Sequence, residues 1–481
     1  MHGLALAILL QAETGKLELT VAEKGELVPC RVHLSDPAGK PVRAPGLPFW
    51  RDHFVCPGSV TLSLAPGKYA LEVERGPEYS AASDTLAVEA GGTVKRTVEI
   101  KRLADLKAEG WWSGELHVHR ALEEVPLLLR AEDLHVAPVI TWWNKRNLWA
   151  GKEIPAELIV RPGERRFYHP MAGEDEREGG ALLFFNLKRP LEISGATNEH
   201  PSPVKFLREA RTHKGVHVDI EKPFWWDVPV WLSTGAVDTI GLANNHMCRS
   251  QMFETEAWGR PRDAKRLAPP RGNGLWTQEI YYHVLNTGLR VPPSAGSASG
   301  VLPNPVGYNR AYVRIEGEPT YEKWFEGLRA GRAFVTNGPI LRVQAGGKDP
   351  GHVFTAAGPI EIDVTATVEG RDKVPAIEIV RDGKVETLGK LRFDKCGWFL
   401  VRAIAENAKT YRFASTAPWY VEIGGQKSRV SRASAKFFAD WVDERIGRIK
   451  EADPKKLEEV LEPHLKAKAF WQDVLRKADA E

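Results

Sequence analysis

The sequence predicts a multidomain α/β protein in which a segment of alternating strands and helices lies between two β-rich segments, with a helical tail at the end. The length of 481 residues is the first observation, because a single hydrophobic core rarely serves so long a chain. The second observation is the residue pattern. Residues 15–103 and 338–430 alternate apolar with polar residues between Pro and Gly turns, whereas residues 104–337 alternate short apolar runs with amphipathic stretches.

The pattern of the N-terminal segment, residues 15–103, predicts a small antiparallel β-sandwich. Its run "LAPGKYALEVERGPEY" resembles the carboxypeptidase-regulatory, transthyretin-like modules, which implies a structural or surface-binding role. Residues 1–14 contain a short apolar run, which favours a leader remnant and export to the periplasm or exterior over a cytoplasmic N-terminal strand. In an exported protein we expect a disulfide between Cys30 and Cys56.

The middle segment, residues 104–337, has the strand–helix alternation that is typical of parallel strands in an α/β barrel or a doubly wound sheet. In both folds the functional residues gather at the carboxyl ends of the strands. The motifs "HVH", "WWN", "EKP" and "NNH" are all predicted to lie at such ends. Residues 431–481 predict two amphipathic helices with Pro454 between them.

The stretch "SGELHVHR" carries the first candidate chemistry. In an extended strand, Glu115, His117 and His119 point to one face, and two imidazoles in that arrangement can bind one cation. The alternative is a pair of hydrogen-bonded or solvated histidines.

The same stretch resembles the "GDLHVH" opening of PHP domains, and "NRAYVRIEGEPTYEKWFEGLRAGRAFVTNGPILRVQAGGKDPG" resembles the end of the CehA/McbA branch, the carbaryl-hydrolase-like metallohydrolases. The resemblance covers roughly residues 104–352. It implies a distorted (β/α)7 barrel, flanked here by the two β-sandwiches, and metal-dependent hydrolysis of an ester, carbamate or phosphoester by an activated water. It also implies that His117, His119 and Glu174 are metal ligands.

Several ligand positions of that family carry other residues in this chain. The replacements are Trp142, Trp143, Gly179, Gly180, Lys222, Ala298 and Gly300. We therefore expect one or two divalent ions, zinc or manganese, rather than three. His246, at the mouth of another strand, is a candidate for a further ligand, and an ordinary hydrogen-bonded histidine is the alternative.

The strand "GVHVDIEKP" offers a catalytic group, because His217, Asp219 and Glu221 share its inward face. Glu221 is nearest the carboxyl end, so we predict it to be the general base or a ligand, with a buried hydrogen-bond network as the alternative. Substrate contacts are predicted for residues near the same mouth, although several of them can equally be core or solvated residues. They are Trp143, Asn144, Arg146, Lys222, Trp225 and Arg310.

The composition narrows the classes of partner that the protein is expected to bind. The formal charge of +3 and the lack of a basic run argue against nucleic acid, and no apolar stretch is long enough to span a membrane. The 16 tryptophans favour a small-molecule or glycan-like substrate held in an aromatic cleft; the sequence does not identify protein partners. The leading hypothesis is a metal-dependent hydrolase, and the alternative is a catalytically degenerate barrel that binds a ligand, such as a glycan, through its tryptophan-rich mouth.

Overall fold

The computed structural model describes residues 13–481, so the predicted leader lies almost wholly outside the described residues. The described chain forms two compact units. The first runs to Leu103 and includes residues 130–133, and the second comprises residues 104–129 and 134–481.

The first unit contains two sheets around one apolar core. One sheet has the order β2-β1-β6, with β9 parallel to β1, and the other has the order β4-β5-β3-β7-β8. Alternation explains the burial: in β7 the side chains of Tyr69, Leu71 and Val73 point into the core between exposed or half-buried neighbours. The strands are β1 Gly15–Glu23, β2 Glu26–Leu27, β3 Cys30–Ser35, β4 Phe49–Trp50, β5 His53–Cys56, β6 Ser59–Leu64, β7 Gly67–Glu74, β8 Ala82–Val88 and β9 Thr93–Glu99.

Cys30 and Cys56 are direct cross-strand partners in the pairing of β3 with β5. Both are buried free thiols, and a thiol hydrogen bond with Cys56, together with burial, raises the pKa of Cys30. The two sulfur atoms are therefore neighbours, as a disulfide requires.

We expect mild oxidation of the intact protein with oxidised glutathione to join Cys30 to Cys56 and to leave Cys248 and Cys396 reduced. Closing a loop of this length should stabilise the first unit by about 3 kcal/mol. Peptide mapping identifies the bond, and the melting temperature of oxidised protein is compared with that of a Cys30→Ser variant. Four free thiols after oxidation would contradict the pairing.

The second unit begins with strands and helices in alternation. They are β10 Trp111–Gly114, α1 Val125–Ala131, β11 Val136–Trp143, β12 Arg146–Asn147, β13 Val160–Gly163, β14 Arg166–Arg177, β15 Gly180–Phe185, α2 Pro203–Ala210, β16 His217–Ile220, α3 Val228–Ser233, β17 Thr239–Ala243, α4 Gly272–Asn286, β18 Pro293–Ala295, β19 Arg310–Arg314, α5 Tyr321–Arg329 and β20 Ala333–Thr336. The α1 range ends two residues inside the segment assigned to the first unit.

Seven strands of this part follow one another in the sheet, in the order β10-β11-β14-β15-β16-β17-β18. The chain after β10 then returns to β18. Leu116 N–H donates to the carbonyl oxygen of Ala295 at 2.9 Å, and Val118 bridges both Val139 and Ser299. The strands therefore form a ring, with the "HVH" stretch just beyond the end of β10.

The prediction of uniformly parallel strands is wrong at β15, which is antiparallel to both β14 and β16. Only Glu178 and Gly179 separate β14 from β15, and a connection of two residues makes a hairpin, whereas a parallel crossover needs a dozen or more. The 12-residue strand β14, which carries Glu174, is also absent from the strands that the sequence predicts.

The remaining elements continue the same unit. They are β21 Ile340–Ala345, β22 Val353–Ala356, β23 Ile360–Glu369, β24 Ile377–Arg381, β25 Lys384–Thr387, β26 Lys390–Phe393, β27 Gly397–Ile404, β28 Phe413–Thr416, β29 Trp419–Ile423, α6 Arg432–Ile446 and α7 Pro454–Arg476. Because β20 pairs with β28, the large sheet runs without a break from β10 to β29. Residues 104–337, 338–430 and 431–481, which the sequence separates, thus belong to one compact unit.

None of the helices in the described part of the chain is both long and apolar enough to cross a bilayer.

Candidate metal centre

Three predicted ligands meet at one point of the ring. His117 and His119 follow β10, and Glu174 lies on β14, opposite Trp143 of the intervening β11. The two imidazole Nε2 atoms are 3.0 Å apart, and Glu174 Oε2 lies 3.4 Å from that of His117 and 3.1 Å from that of His119. Side chains separated by more than 50 positions in the sequence therefore converge on a single small volume.

The spacing of these three atoms fits one metal ion. Ligands of a tetrahedral zinc ion, each at about 2.0–2.1 Å from it, lie about 3.3 Å from one another. His117 and Glu174 are almost fully buried, and Glu174 Oε2 makes no hydrogen bond of good geometry despite its two imidazole neighbours. A buried oxygen without a hydrogen bond is costly unless another group satisfies it, so the donor set suits a cation.

Glu221 occupies the other side of His117. Its Oε1 lies 3.4 Å from His117 Nδ1, the ring nitrogen that faces away from the triad, and its Oε2 accepts hydrogen bonds from Lys222 Nζ and from Trp225 Nε1, the latter at 3.0 Å. Glu221 thus lies outside the three converging ligand atoms, in a buried hydrogen-bond network of the kind that the sequence offers as the alternative to a ligand or general base. A carboxylate at the outer nitrogen of a ligating histidine orients the ring and raises its basicity.

The pKa values of the three triad residues depend on their burial and on these charged neighbours. Burial disfavours the charged form of His117, but the carboxylates of Glu174 and Glu221 outweigh it and raise the pKa of His117 to about 10. Burial, assisted by the charge of His117 and opposed by Glu174, lowers the pKa of His119 below its ordinary value, which favours the neutral, ligand-competent imidazole. Burial raises the pKa of Glu174, but His117 and His119 together bring it below its ordinary value.

His246 lies outside this group. Among the described residues, the ligand atoms that lie within 4.8 Å of one another here belong to His117, His119 and Glu174. The His246 ring packs between Phe224 and Phe253, at centroid distances of 5.5 and 5.7 Å. Burial, assisted by Lys222, lowers the pKa of His246 to about 3. The structure therefore does not bring this predicted fourth ligand to the triad.

A cavity of about 330 Å³, which none of the triad residues lines, is lined by three of the predicted substrate residues, Trp143, Asn144 and Arg146. The Trp143 ring links the two sites, since its centroid is 4.9 Å from that of His119. Asn144 is engaged in structure, because its Oδ1 accepts a hydrogen bond from the backbone N–H of Glu176 at 2.9 Å. Trp143 and Arg146 are thus the better placed of the three to touch a ligand.

The other three predicted substrate residues, Lys222, Trp225 and Arg310, are each at most 3% exposed. Lys222 pairs with Glu221 and lies 4.4 Å from the Trp225 ring centroid. Arg310 Nε donates to the carbonyl oxygen of Gly307 at 2.6 Å. Burial leaves these side chains almost no surface for a ligand, so they support the wall of the site. A neighbour that the sequence did not single out, Trp258, is half exposed, with its ring centroid 6.5 Å from that of Trp225.

The loop "GSASG" packs against the histidine segment, and its small side chains offer no imidazole or carboxylate ligand. Glu115 accepts hydrogen bonds from the backbone N–H groups of Ser297 at 2.8 Å and Gly307 at 2.7 Å, and its burial raises its pKa to about 7. Gly300, with φ of 101°, approaches so closely that a Cβ would lie 2.4 Å from the carbonyl oxygen of His119. Glu115 therefore fastens this loop and does not join the triad.

Glu176 is the acidic residue that sequence reasoning missed. It lies two residues after Glu174 on β14 and therefore on the same face, and it lines the 330 Å³ cavity. Burial and the neighbouring Glu174 raise the pKa of Glu176 to about 7. The spacing of two residues between Glu174 and Glu176 was the available signal, but it indicates a shared face only once residues 166–177 are known to form a strand.

A second group of potential ligands lies in the first unit and has different chemistry. His33 Nδ1 and His53 Nδ1 lie 3.3 and 2.8 Å from the two carboxylate oxygens of Asp52. Arg31 Nε donates to His33 Nε2 at 3.1 Å, so a neutral His33 carries its proton on Nδ1 and donates it to Asp52. These groups satisfy one another as hydrogen-bond partners, which distinguishes them from the triad.

The wall beside the triad is held by a buried ion cluster from the C-terminal helices. Arg445 of α6 contacts Asp227 through Nε at 2.7 Å and grips Glu199 with both terminal nitrogens at 3.0 and 2.5 Å. His464 of α7 approaches Asp227 at 3.2 Å. The Asp227 N–H donates to Gly179 O at 2.8 Å, so the cluster joins the loop after β16 to the β14–β15 hairpin.

Removing the guanidinium should be strongly destabilising, because it leaves Asp227 and Glu199 buried without their main partner. We expect Arg445→Met to lower the free energy of unfolding by about 3–5 kcal/mol. Lys436→Met on the same helix removes an exposed pair with Asp440 and should cost less than about 1 kcal/mol. Urea titration of both variants measures the difference, and equal losses would refute a special role for the buried cluster.

The interior of β16 contains a neutral histidine. Thr239 Oγ1 donates its one proton to Asp219 Oδ1 at 2.6 Å, so it accepts from His217 Nε2–H at 2.8 Å. Burial lowers the pKa of His217 to about 3 and raises that of Asp219 to about 7.

The stabilising contribution of His217 should be complete above pH 6.5, its unfolded pKa, and should disappear as the pH falls towards 3, because the unfolded chain then binds a proton that the folded chain excludes. Asp219 acts in the opposite sense, so the informative quantity is the difference between the wild type and His217→Gln. We expect that difference in unfolding free energy to shrink by a few kcal/mol between pH 7 and 4. A difference that is independent of pH would show that His217 titrates alike in the folded and unfolded chains and is not kept neutral by burial.

Comparisons with known proteins add little to this geometry. No protein-family model matches the chain, and no curated protein matches it. The minor pilin GBS52 of Streptococcus agalactiae is similar over 19% of this chain and 46% of its own, at 23% identity and a TM-score of 0.17. The TIE protein of Bacillus anthracis is similar over 23% of this chain and 19% of its own, at 18% identity and a TM-score of 0.16. Similarities this low carry no argument about function.

Proposed function

We propose that His117, His119 and Glu174 hold one divalent ion, zinc or manganese, and that the protein is a metal-dependent hydrolase of the PHP type acting on an ester, carbamate or phosphoester bond. The observation that carries the proposal is the convergence of two imidazole nitrogens and a carboxylate oxygen within 3.4 Å of one another in a buried site. Two neutral nitrogen donors and one anionic oxygen are a usual donor set for a catalytic zinc ion with an open position.

Charge supports the same conclusion. Glu174 and Glu221 are both buried, and Lys222 is the cation that pairs with Glu221. Within the described residues no lysine or arginine pairs with Glu174, whose neighbours are the two histidines. Once both imidazoles are neutral, as ligation requires, a divalent ion would supply the positive charge that balances Glu174.

The surroundings favour a single ion. On the side of the triad, the Trp143 ring lies 4.9 Å from that of His119, centroid to centroid. Lys222 already compensates Glu221 from the other side. Bulky and cationic side chains thus occupy the volume in which additional ions would have to lie.

The chain's own groups define the rest of the chemistry. An ion held here would acidify a bound water and so provide a nucleophile near neutral pH. Glu221 orients His117 through Nδ1, and Trp143 walls the approach to the cavity. Glu176, which lies two residues after Glu174 on the same strand face and lines the cavity, would replace Glu221 as the carboxylate that accepts a proton from such a water. The cavity holds the substrate, with Arg146 at its rim.

Metal content provides the first test. After dialysis against zinc or manganese, the wild type should retain about one equivalent, and the His117→Ala/His119→Ala double variant should retain none. His246→Ala is the matched control: it should keep the metal, since this ring packs against Phe224 and Phe253. Elemental analysis gives the stoichiometry, and p-nitrophenyl esters and bis(p-nitrophenyl) phosphate report hydrolysis.

Failure of the wild type to take up either ion would refute the proposal. It would favour instead the non-catalytic barrel that binds a ligand beside its tryptophans, for which half-exposed Trp258 is the most accessible ring named here.

The two glutamates beside His117 should behave differently. Glu174→Gln removes a ligand and should abolish metal retention. Glu221→Gln leaves the ligands intact but weakens the support of His117, so it should lower the metal affinity by about 10–100-fold. Competition with a chromophoric chelator measures both affinities. Equal loss of metal in both variants would mean that Glu221 is itself a ligand.

A further inference from the structure

A second cavity, of about 570 Å³, lies in the C-terminal part of the second unit. Its walls are the end of α4, the β24–β25 hairpin, the turn between β26 and β27, and residues 427–431. We call it the basic cleft, because seven of its 22 lining residues are Lys or Arg, compared with 66 of 481 in the whole chain.

Four acidic residues, Asp382, Glu386, Asp394 and Glu481, also line the basic cleft. Glu386 pairs with Arg381 at 2.6 Å, and Asp394 accepts from Arg392 at 3.1 Å. Asp382 accepts a hydrogen bond from the backbone N–H of Trp398 at 2.9 Å. Two of the four carboxylates thus pair with arginines of the lining, whereas Asp382 and Glu481 have no cation within 4.0 Å among the described residues. The seven cations of the lining still outnumber its four carboxylates.

Three lysines, Lys384, Lys395 and Lys427, line the cleft, are exposed, and have no carboxylate within 4.0 Å among the residues that the structure describes. Arg429 is a fourth cation of the lining and interacts with Asp382 only at longer range. Several like charges facing one concave volume create a positive potential that attracts anions.

We infer that the basic cleft binds a small polyanion that carries two or more phosphate or sulfate ester groups. A single small anion would engage one or two of the four cations, whereas a ligand with several tetrahedral oxyanions can reach them from one position in a cavity of this size. The inference is independent of the proposed hydrolase function, because none of the triad residues lines the cleft.

Isothermal titration of the intact protein tests the inference with two probes of matched character, inositol hexakisphosphate and sucrose octasulfate. Their uncharged parents, myo-inositol and sucrose, are the controls. We expect at least one probe to bind with a stoichiometry of about one and a Kd below about 100 μM at low salt, and to weaken severalfold as sodium chloride screens the lysines. Binding of the first probe alone identifies a phosphate-ester ligand, and binding of the second alone identifies a sulfate-ester ligand.

Charge reversal locates the site. The Lys395→Glu/Lys427→Glu double variant should bind the probe at least about tenfold more weakly. Lys265→Glu/Lys409→Glu makes the same change in net charge at exposed positions outside the cleft and should alter Kd less than about twofold. Lys395→Gln, a milder change, supplies a second variant with the same expected direction.

The inference is wrong if neither probe binds, or if both double variants weaken binding equally, since that would reflect net charge alone. Metal content stays unchanged in all of these variants under either outcome, so the result is separable from the test of the triad.

Discussion

Compensation of buried negative charge is the constraint on which the ring interior depends. Glu174 and Glu221 reach His117 from opposite sides, one towards Nε2 and the other towards Nδ1. Buried carboxylates cost several kcal/mol each unless cations or hydrogen bonds compensate them. Lys222 compensates the charge of Glu221, whereas the neighbours of Glu174 are the two imidazoles. Either a proton on His117 or a metal ion must therefore complete the site, and a divalent ion supplies twice the charge.

The geometry that imposes this constraint depends on parts of the chain far from the triad. Glu174 and Glu176 lie on a strand that turns back through Gly179, where a Cβ would lie 2.2 Å from Asp227. Asp227 in turn is held by Arg445 in the C-terminal helical region. The C-terminal helices thus support the wall beside the candidate site. The pairing of β20 with β28 joins the C-terminal strands to the same large sheet.

The sequence predicted the parts of the site that depend on local pattern. The grouping of His117, His119 and Glu174 was expected from motif resemblance, and the strand–helix alternation of residues 104–337 was expected from periodicity. The directions in which side chains point were harder to predict from the sequence. Glu221 was expected to point at the metal, but whether a carboxylate faces Nε2 or Nδ1 of a histidine depends on the position of β16 in the ring, which no spacing encodes.

Other differences arise from long-range pairing. Glu176 was missed because β14 is buried along nearly its whole length, so the usual alternation of apolar and polar residues is absent. Trp225 and Arg310 were expected at a mouth because of their position in sequence, yet neighbouring strands and loops cover them. Glu115 is close in sequence to His117 and His119, but its carboxylate accepts hydrogen bonds from a distant segment of the chain.

The most direct test of the account is the location of the ion itself. A crystal of the protein grown with zinc or manganese, with diffraction recorded above and below the absorption edge of that metal, should give one dominant anomalous peak. The account predicts that peak within about 2.0–2.3 Å of His117 Nε2, His119 Nε2 and a carboxylate oxygen of Glu174. A peak at His33, Asp52 and His53 instead, or no peak at the triad in metal-saturated crystals, would contradict it.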